Sequence, residues 1–581
     1  MRTPQIQELF LSKDTLINLI LAVVIGIATG FGAIGFRWLI ETFKHLFFTE
    51  GQQALSFLGG YYVVIIPAIG GLLVGLLVYY AAREAKGHGV PEVMAAVAFK
   101  GGVIRPRVVL VKSFASAICI GSGGSVGREG PIVQIGSAIG STIGQLSRID
   151  SRRLKAFVAC GAAGGIAATF NAPIGGVLFA LEVILGKFSG GHLILVIISG
   201  VLSAVVSRVF LGDVPAFIVP AYPLHSPWEL ILYAGMGVIS GIFAVLYIRT
   251  LYKFEDIFNA IRVIPEYLKP VLGGLLVGCI GYFYPHIFGV GYESIELALT
   301  GKLTLSLVAL LVFLKLLATS ITIGSGGSGG VFAPGLFMGA MLGATLGMIF
   351  NQFWPDIAPI PAAYALVGMG AVFAGSAQAP MTAFIMLFEM SNDYHIILPL
   401  MITCIISAAV ARGLYPGSIY TVKLIRRGLD IEAARYPDVF REIPVSEAMT
   451  ENVVAISASL SVNQAYRQVQ DSQHRGFPIV DGSGGLVGIV TSYELVSSQQ
   501  RSGSLPVTAI ATTDLIVTTP DEPLSLAAMK LSRYGIGRLP VVEPGQPKKM
   551  VGLLSRTDII EAYSKVIRDA TSQDSNSKKV V

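Results

Sequence analysis

Lys112-Ser-Phe-Ala-Ser-Ala-Ile-Cys-Ile-Gly121-Ser-Gly-Gly-Ser-Val-Gly-Arg-Glu-Gly-Pro131 returns 203 residues later as Lys315-Leu-Leu-Ala-Thr-Ser-Ile-Thr-Ile-Gly324-Ser-Gly-Gly-Ser-Gly-Gly-Val-Phe-Ala-Pro334. In both copies an apolar run meets a Gly/Ser knot whose small side chains leave backbone N–H groups uncovered. A proline then suits the first turn of the next helix. This is how a helix N-terminus is aimed at an anion. Inside a membrane such irregular backbone is tolerated only where it is packed in protein or lines a wet cavity, so two matched interruptions point to a midplane site between repeats.

The composition agrees. Among 581 residues, 53% are hydrophobic and 13% charged, which excludes a large soluble enzyme and predicts an integral membrane protein. The 67 glycines argue for closely packed helices. A net charge of +6 without a basic, aromatic-laced groove excludes nucleic acid as a partner. Cys119, Cys160, Cys279 and Cys404 sit in apolar surroundings without metal-ligand spacing and read as small core residues. The short polar segment 1–13 precedes an apolar run with no small-residue cleavage site after it, so no removable signal peptide is expected.

Two more pairs extend the repeat. Gly87-His88-Gly89-Val90-Pro91-Glu92 interrupts the chain after the run Tyr61 to Tyr80, and Gly289-Val-Gly291-Tyr-Glu293 answers it at an offset of 202. Cys160 through Asn171-Ala-Pro173 to Glu182 matches Val367 through Ala379-Pro380 to Glu389 at an offset of 207, with the carboxylate nine residues after the proline each time. The duplicated halves are about 14–210 and 228–425 within a transmembrane domain 14–430, and broken helices at a midplane site favour inverted halves. Glu182 and Glu389, being equivalent, read as capping or pairing groups. Lys112 and Lys315 read as entrance charges or snorkelling anchors. Arg105, Arg107, Arg152, Arg153, Lys155, Lys423, Arg426 and Arg427 mark cytoplasmic faces.

Near residue 440 alternating strands and amphipathic helices replace the apolar runs, predicting a soluble α/β region that is itself duplicated, 440–498 and 502–566. Gly476-Phe-Pro478-Ile-Val480 corresponds to Arg538-Leu-Pro540-Val-Val542, and Thr491-Ser-Tyr-Glu494 to Ser555-Arg-Thr-Asp558. The polar tail 569–581 is expected to be disordered.

Gly127-Arg128-Glu129-Gly130-Pro131, Gly330-Val331-Phe332-Ala333-Pro334, Asn171-Ala-Pro173 and Ser418-Ile-Tyr420-Thr resemble the signature segments of the CLC family of chloride channels and proton-coupled exchangers, over roughly residues 14 to 430. The soluble region resembles a pair of CBS domains. The resemblance implies an α-helical polytopic membrane protein with inverted repeats and broken, re-entrant helices, carrying a cytoplasmic CBS pair. It also implies a homodimer with one pore per subunit, in a lipid bilayer, with the plasma membrane the expected location. Chloride or a similar small anion is the implied cargo, and no cofactor is required.

By the same resemblance Glu129 is the gate, and Gly330, Val331, Phe332 and Tyr420 fall on anion-binding positions, with two backbone N–H groups and the Tyr420 hydroxyl as donors. At the other end, many relatives have Gly-Ser-Gly-Ile-Pro where this chain has Gly87-His88-Gly89-Val90-Pro91, so an imidazole takes the place of a hydroxyl in binding the anion. Val183 stands where proton-coupled exchangers usually carry an internal glutamate. Valine cannot relay a proton, which favours a passive channel over the alternative chloride/proton antiporter. In the CBS pair, Ser555, Asp558 and Thr491 are the candidates to hold an adenine nucleotide. One motif points elsewhere: Gly123-Gly-Ser125-Val-Gly127 fits the G-x-S-x-G nucleophile pattern of a serine hydrolase, which needs a base and an oxyanion hole around Ser125. The seven histidines contain no pair with metal spacing.

Overall fold

The computed structural model describes residues 13–186, 190–213, 216–217, 224–429, 443–472, 474–562 and 564–565. The expected N-terminal segment lies outside them except for Lys13, as does the tail 569–581. The chain forms two compact units, residues 1–431 and 432–581.

In the first unit one half runs α1 (Lys13–His45), α2 (Tyr62–Ala81), α3 (Val90–Phe99), α4 (Arg107–Gly121), α5 (Glu129–Leu146), α6 (Ser151–Phe170), α7 (Pro173–Phe179) and α8 (Gly190–Leu211). The other half repeats it as α9 (Glu229–Ala260), α10 (Lys269–Phe283), α11 (Tyr292–Leu299), α12 (Leu305–Gly324), α13 (Phe332–Phe353), α14 (Pro361–Ala377), α15 (Pro380–Ser391) and α16 (Ile397–Leu414). A last short helix, α17 (Thr421–Arg426), follows. Seven of the described helices are long and apolar enough to cross a membrane, among them α1, α9 and α12. Others, such as α3 and α15, are apolar but shorter, as re-entrant segments are. Large apolar side chains such as Leu110, Val209 and Phe283 lie on the outside, where a lipid solvent accepts them. This is a multi-pass membrane protein.

Equivalent residues of the two halves meet each other. Gly127 and Gly330 exchange both backbone hydrogen bonds, 2.8 Å one way and 2.6 Å the other, in an antiparallel bridge. A two-fold axis relating the halves therefore runs between them. Around it the contacts come in matched pairs. A Cβ on Gly71 would run into the Pro270 carbonyl oxygen, and one on Gly274 into that of Pro67, so α2 and α10 touch backbone to backbone.

The paired carboxylates cap across the axis. Glu182 follows α7 in a π-helical turn, Ala180–Leu185, and accepts from the Thr382 N–H (2.8 Å), the Thr382 hydroxyl (2.6 Å) and the Met381 N–H (3.4 Å) at the start of α15. Glu389 at the end of α15 accepts from the Gly175 N–H (2.6 Å) and the Ile174 N–H (3.0 Å) at the start of α7. Each half thus satisfies the orphan N–H groups of the other. Of the two roles that sequence equivalence leaves open, capping or pairing, these hydrogen bonds are capping.

The paired lysines do something else. Neither is an entrance charge nor a snorkelling anchor: both are fully buried. Lys112 Nζ donates to the Ala85 carbonyl (2.9 Å), the Gly87 carbonyl (2.7 Å) and the Ser328 hydroxyl (3.0 Å). Lys315 Nζ donates to the carbonyls of Ile287 and Gly289, both at 2.9 Å. Each ammonium is a strut under the broken segment that leads into α3 or α11. Lys112→Met removes three buried hydrogen bonds, although Ala85 keeps the Ser328 hydroxyl, Gly87 the Gly329 N–H and Ser328 the Ser116 hydroxyl as partners. At about 0.5–1.5 kcal/mol for each hydrogen bond lost it is expected to lower stability by about 1.5 kcal/mol or more. A thermal unfolding midpoint equal to wild type in detergent would refute the strut role.

The second unit holds the two α/β repeats. The first builds a sheet β1 (Ile456–Ser457), β2 (Gly476–Val480), β3 (Leu486–Thr491), with β1 parallel to β2 and β2 antiparallel to β3. The second pairs β4 (Arg538–Glu543) with β5 (Gln546–Ser555), and a parallel bridge from Thr518 to Val541 stands in for the first strand. Asp481 closes the β2–β3 turn by accepting from the Ser483 hydroxyl (2.6 Å) and N–H (2.8 Å) and the Gly485 N–H (2.9 Å). Those hydrogen bonds, the hydroxyl's first, hold its carboxyl below the usual range.

Candidate anion pathway

Helix starts converge where the halves meet. α5 begins at Glu129 and α13 at Phe332, directly after the bridged glycines. At α13 the N–H of Gly330 is already spent on the Gly127 carbonyl, so Gly330 donates nothing to an anion and serves to shape the turn. The donors left at this end are the N–H groups of Val331 and Phe332, which find no backbone acceptor among the described residues. The Tyr247 hydroxyl fixes the loop by donating to the Val331 carbonyl (2.9 Å), and Phe373 packs edge-on against Phe332 at 4.2 Å between centroids.

Glu129 lies across the start of the opposite helix. Its side chain is buried, 1% exposed, and reaches across the axis: Oε2 accepts the Ala333 N–H (3.3 Å) in the first turn of α13. Oε1 accepts the Tyr292 hydroxyl at 2.7 Å. A carboxylate held on the opposite helix's N-terminus replaces a bound anion with a tethered one. Tyr292 is held in turn, with the Arg128 guanidinium 5.1 Å above its ring and Phe217 edge-on at 5.3 Å. Sequence reasoning missed this partner. Its signal was present, since Tyr292 is the first aromatic after the second matched break.

Beyond Arg128 and Tyr292 opens a cleft of about 760 Å³, with Arg37, Lys44 and His286 also on its walls. Glu41 and Glu293 line it too, and with Lys44 paired to Glu293 at 3.3 Å the three basic side chains Arg37, Lys44 and Arg128 exceed the acids by one charge.

On the other side of Glu129 stand His88 and Tyr420, with ring centroids 6.1 Å apart. Gly87 and Gly89 have φ of 76° and 79°, left-handed backbone that lets the chain turn sharply on either side of His88. The imidazole is 1% exposed, and both of its nitrogens lack a hydrogen-bond partner among the described residues. Tyr420 is 2% exposed and placed by its neighbours: the Tyr252 hydroxyl donates to the Ile419 carbonyl (2.6 Å), and the Ile419 N–H donates to Ser376 (2.8 Å). Val183 is buried, 5% exposed, in the π-helical turn beside Glu182.

The Ser125 hydroxyl is fully buried and has no hydrogen-bond partner among the described residues, so the base that a serine nucleophile needs is not beside it there. In the CBS repeats Thr491 and Glu494 form a capping box: Thr491 Oγ1 donates to the Glu494 carboxylate at 2.8 Å and accepts the Glu494 N–H. Asp558 accepts the Ser555 N–H at 2.7 Å, and its own N–H donates to the Ser555 hydroxyl at 3.3 Å. All four residues begin helices.

The voltage gated chloride channel family profile matches residues 70–412, and the CBS domain profile matches residues 445–500 and 507–565. A putative chloride channel protein ClcB-like of Ralstonia nicotianae is 35% identical over 367 residues, covering 62% of this chain and 85% of the relative. The H(+)/Cl(-) exchange transporter ClcA of Vibrio parahaemolyticus is 32% identical, covering 72% and 92%. Chloride channel protein CLC-f of Arabidopsis thaliana is 29% identical and covers 85% of this chain and 72% of its own. Among solved structures, a slow cyanobacterial Cl-/H+ antiporter superposes with a TM-score of 0.67 at 26% identity, covering 71% of this chain and 97% of its own. A eukaryotic CLC transporter, 21% identical, shares the fold over 94% of this chain and 99% of its own with a TM-score of 0.65. With these relatives and a matched pair of helix N-termini facing one buried carboxylate, the chain belongs to the CLC family of voltage-gated chloride channels and carries two CBS repeats.

Proposed function

We propose that the protein is a chloride channel of the plasma membrane, closed by Glu129 and passive once open. Anion transport, rather than catalysis, is the family's work. The observation that carries the gate is the Glu129 carboxylate held on the first turn of α13 by the Ala333 N–H and the Tyr292 hydroxyl. Val331 and Phe332 supply N–H donors to the passing ion, and Tyr420 and His88 supply O–H and N–H donors beyond them. Val183 supports passive conduction, because the turn that would carry an internal acid presents an isopropyl group. Relatives named as exchangers support the other mode, proton-coupled exchange, on the same scaffold. The two part in a planar bilayer. A passive chloride pore reverses at about 59 mV per tenfold chloride gradient and ignores a pH gradient. A reversal potential that moves with pH at constant chloride would overturn it.

A homodimer with one pathway per subunit is the assembly the resemblance implies. Arg105, Arg107 and Arg426 in short connections support a cytoplasmic CBS pair. There we propose at most one adenine nucleotide per subunit, dependent on Asp558. Because Asp558 also begins a helix, the test is Asp558→Asn, which keeps a capping side chain and removes the charge. Calorimetry with ATP, ADP and AMP is expected to show weaker binding to the variant, and equal affinities would remove the claim.

A further inference from the structure

The two broken segments are not held alike. Before α3 the Ala85 carbonyl accepts from Lys112 Nζ and from the Ser328 hydroxyl (2.8 Å), and the Gly87 carbonyl accepts from Lys112 Nζ and from the Gly329 N–H (3.3 Å). The Gly87 N–H donates in turn to the Gly327 carbonyl (3.1 Å), so backbone pins this segment to the second Gly/Ser knot. Before α11 the equivalent carbonyls are those of Ile287 and Gly289. Lys315 Nζ, 2.9 Å from each, is their only hydrogen-bond donor among the described residues. Ser125, the counterpart of Ser328, has an unpartnered hydroxyl, and Val126, the counterpart of Gly329, spends its N–H on the Gly124 carbonyl (2.9 Å).

The segment tied by that single ammonium is the one that carries the latch. Tyr292 opens α11 immediately after it, and its hydroxyl holds Glu129 at 2.7 Å. Gly289 and Gly291 have φ of 57° and 84°, and glycine backbone of this kind takes its course from what it is tied to. Gly291 is wedged as well: a Cβ there would fall 2.7 Å from the ring of Phe337 on α13 and 3.4 Å from Lys315 Nζ. The ammonium itself lies 4.9 Å from the centre of that ring. We propose that Lys315 is a positioning residue of the gate, which holds the Ile287 and Gly289 carbonyls so that the Tyr292 hydroxyl reaches Glu129. This rests on Glu129 being the gate. Lys315 has no hydrogen bond or ion pair with Glu129 among the described residues, although Glu129 is the acid whose charge acts on it. The competing account is therefore a direct effect of the ammonium on the carboxylate, without Tyr292.

Chloride efflux from liposomes at neutral pH separates the two. Lys315→Met keeps the bulk of the side chain and frees both carbonyls, and is expected to raise flux several-fold, as removing the latch hydroxyl by Tyr292→Phe is. Lys315→Arg keeps charged donors and is expected to stay near wild type. In the Tyr292→Phe background Lys315→Met is expected to add less than about twofold, because two residues that act through one contact are not additive. An undiminished rise in that background overturns the proposal in favour of direct charge. A Lys315→Met protein with a lowered thermal midpoint and wild-type flux overturns it too, since the lysine then only stabilises the fold. Lys315→Gln, which retains a donor for one carbonyl, carries the same comparison if the methionine protein does not fold. Failure of the gate assignment shows separately, with Lys315 intact: Glu129→Gln then keeps the wild-type pH profile and Tyr292→Phe the wild-type flux.

Discussion

Glu129→Gln carries chloride at neutral pH at a rate that acid no longer raises. In wild type the Glu129 carboxyl group lies on the start of α13, accepting from Ala333 and Tyr292. Charge-assisted hydrogen bonds contribute about 1.5–3 kcal/mol each, so losing the charge is expected to shift the population toward open at least about tenfold. Protonation removes the same charge. Wild-type current therefore rises as pH falls, and the glutamine protein starts where acid leaves wild type. Tyr292→Phe separates latch from gate: it deletes the 2.7 Å bond and keeps the carboxylate, so flux at neutral pH rises several-fold while the acid response persists. Liposome chloride efflux measured across a pH series checks both variants. If Glu129→Gln folds and shows the wild-type pH profile, Glu129 is not the gate.

The sequence announces the repeat because offsets of 202, 203 and 207 survive in Gly, Pro and Glu positions that backbone geometry constrains. The same offsets reappear as reciprocal contacts: Gly127 with Gly330, Glu182 capping α15 while Glu389 caps α7, Lys112 under one broken segment and Lys315 under the other. The burial of the lysines was less legible. A lysine in an apolar helix reads as a snorkelling anchor until the loop carbonyls it serves are known, and those lie 25 to 28 residues away in the chain. Tyr292 was hidden for another reason: it acts on a residue 163 positions away, which periodicity does not encode. Which two of Gly330, Val331 and Phe332 have an N–H to offer is not written in the motif and shows only in the backbone, where that of Gly330 is taken by Gly127.

A chloride gradient is not expected to drive protons uphill through this protein. A proton that leaves Glu129 toward the far side needs a second titratable group within reach, and Val183 offers none. The acid beside it, Glu182, has both oxygens committed to the start of α15, where Thr382 alone donates from its N–H at 2.8 Å and from its hydroxyl at 2.6 Å. Protonating Glu182 would free part of that cap, at a cost of about 1 kcal/mol or more. Liposomes loaded with chloride, with the voltage clamped by potassium and valinomycin, are expected to show chloride efflux and no sustained change of external pH. The Vibrio exchanger measured alongside provides the positive control. Sustained proton movement at a fixed ratio to chloride would sink the channel assignment and leave Glu129 and the anion donors standing. Glu182→Gln then decides the route: if it abolishes proton movement while chloride still flows, the capping carboxylate is the relay.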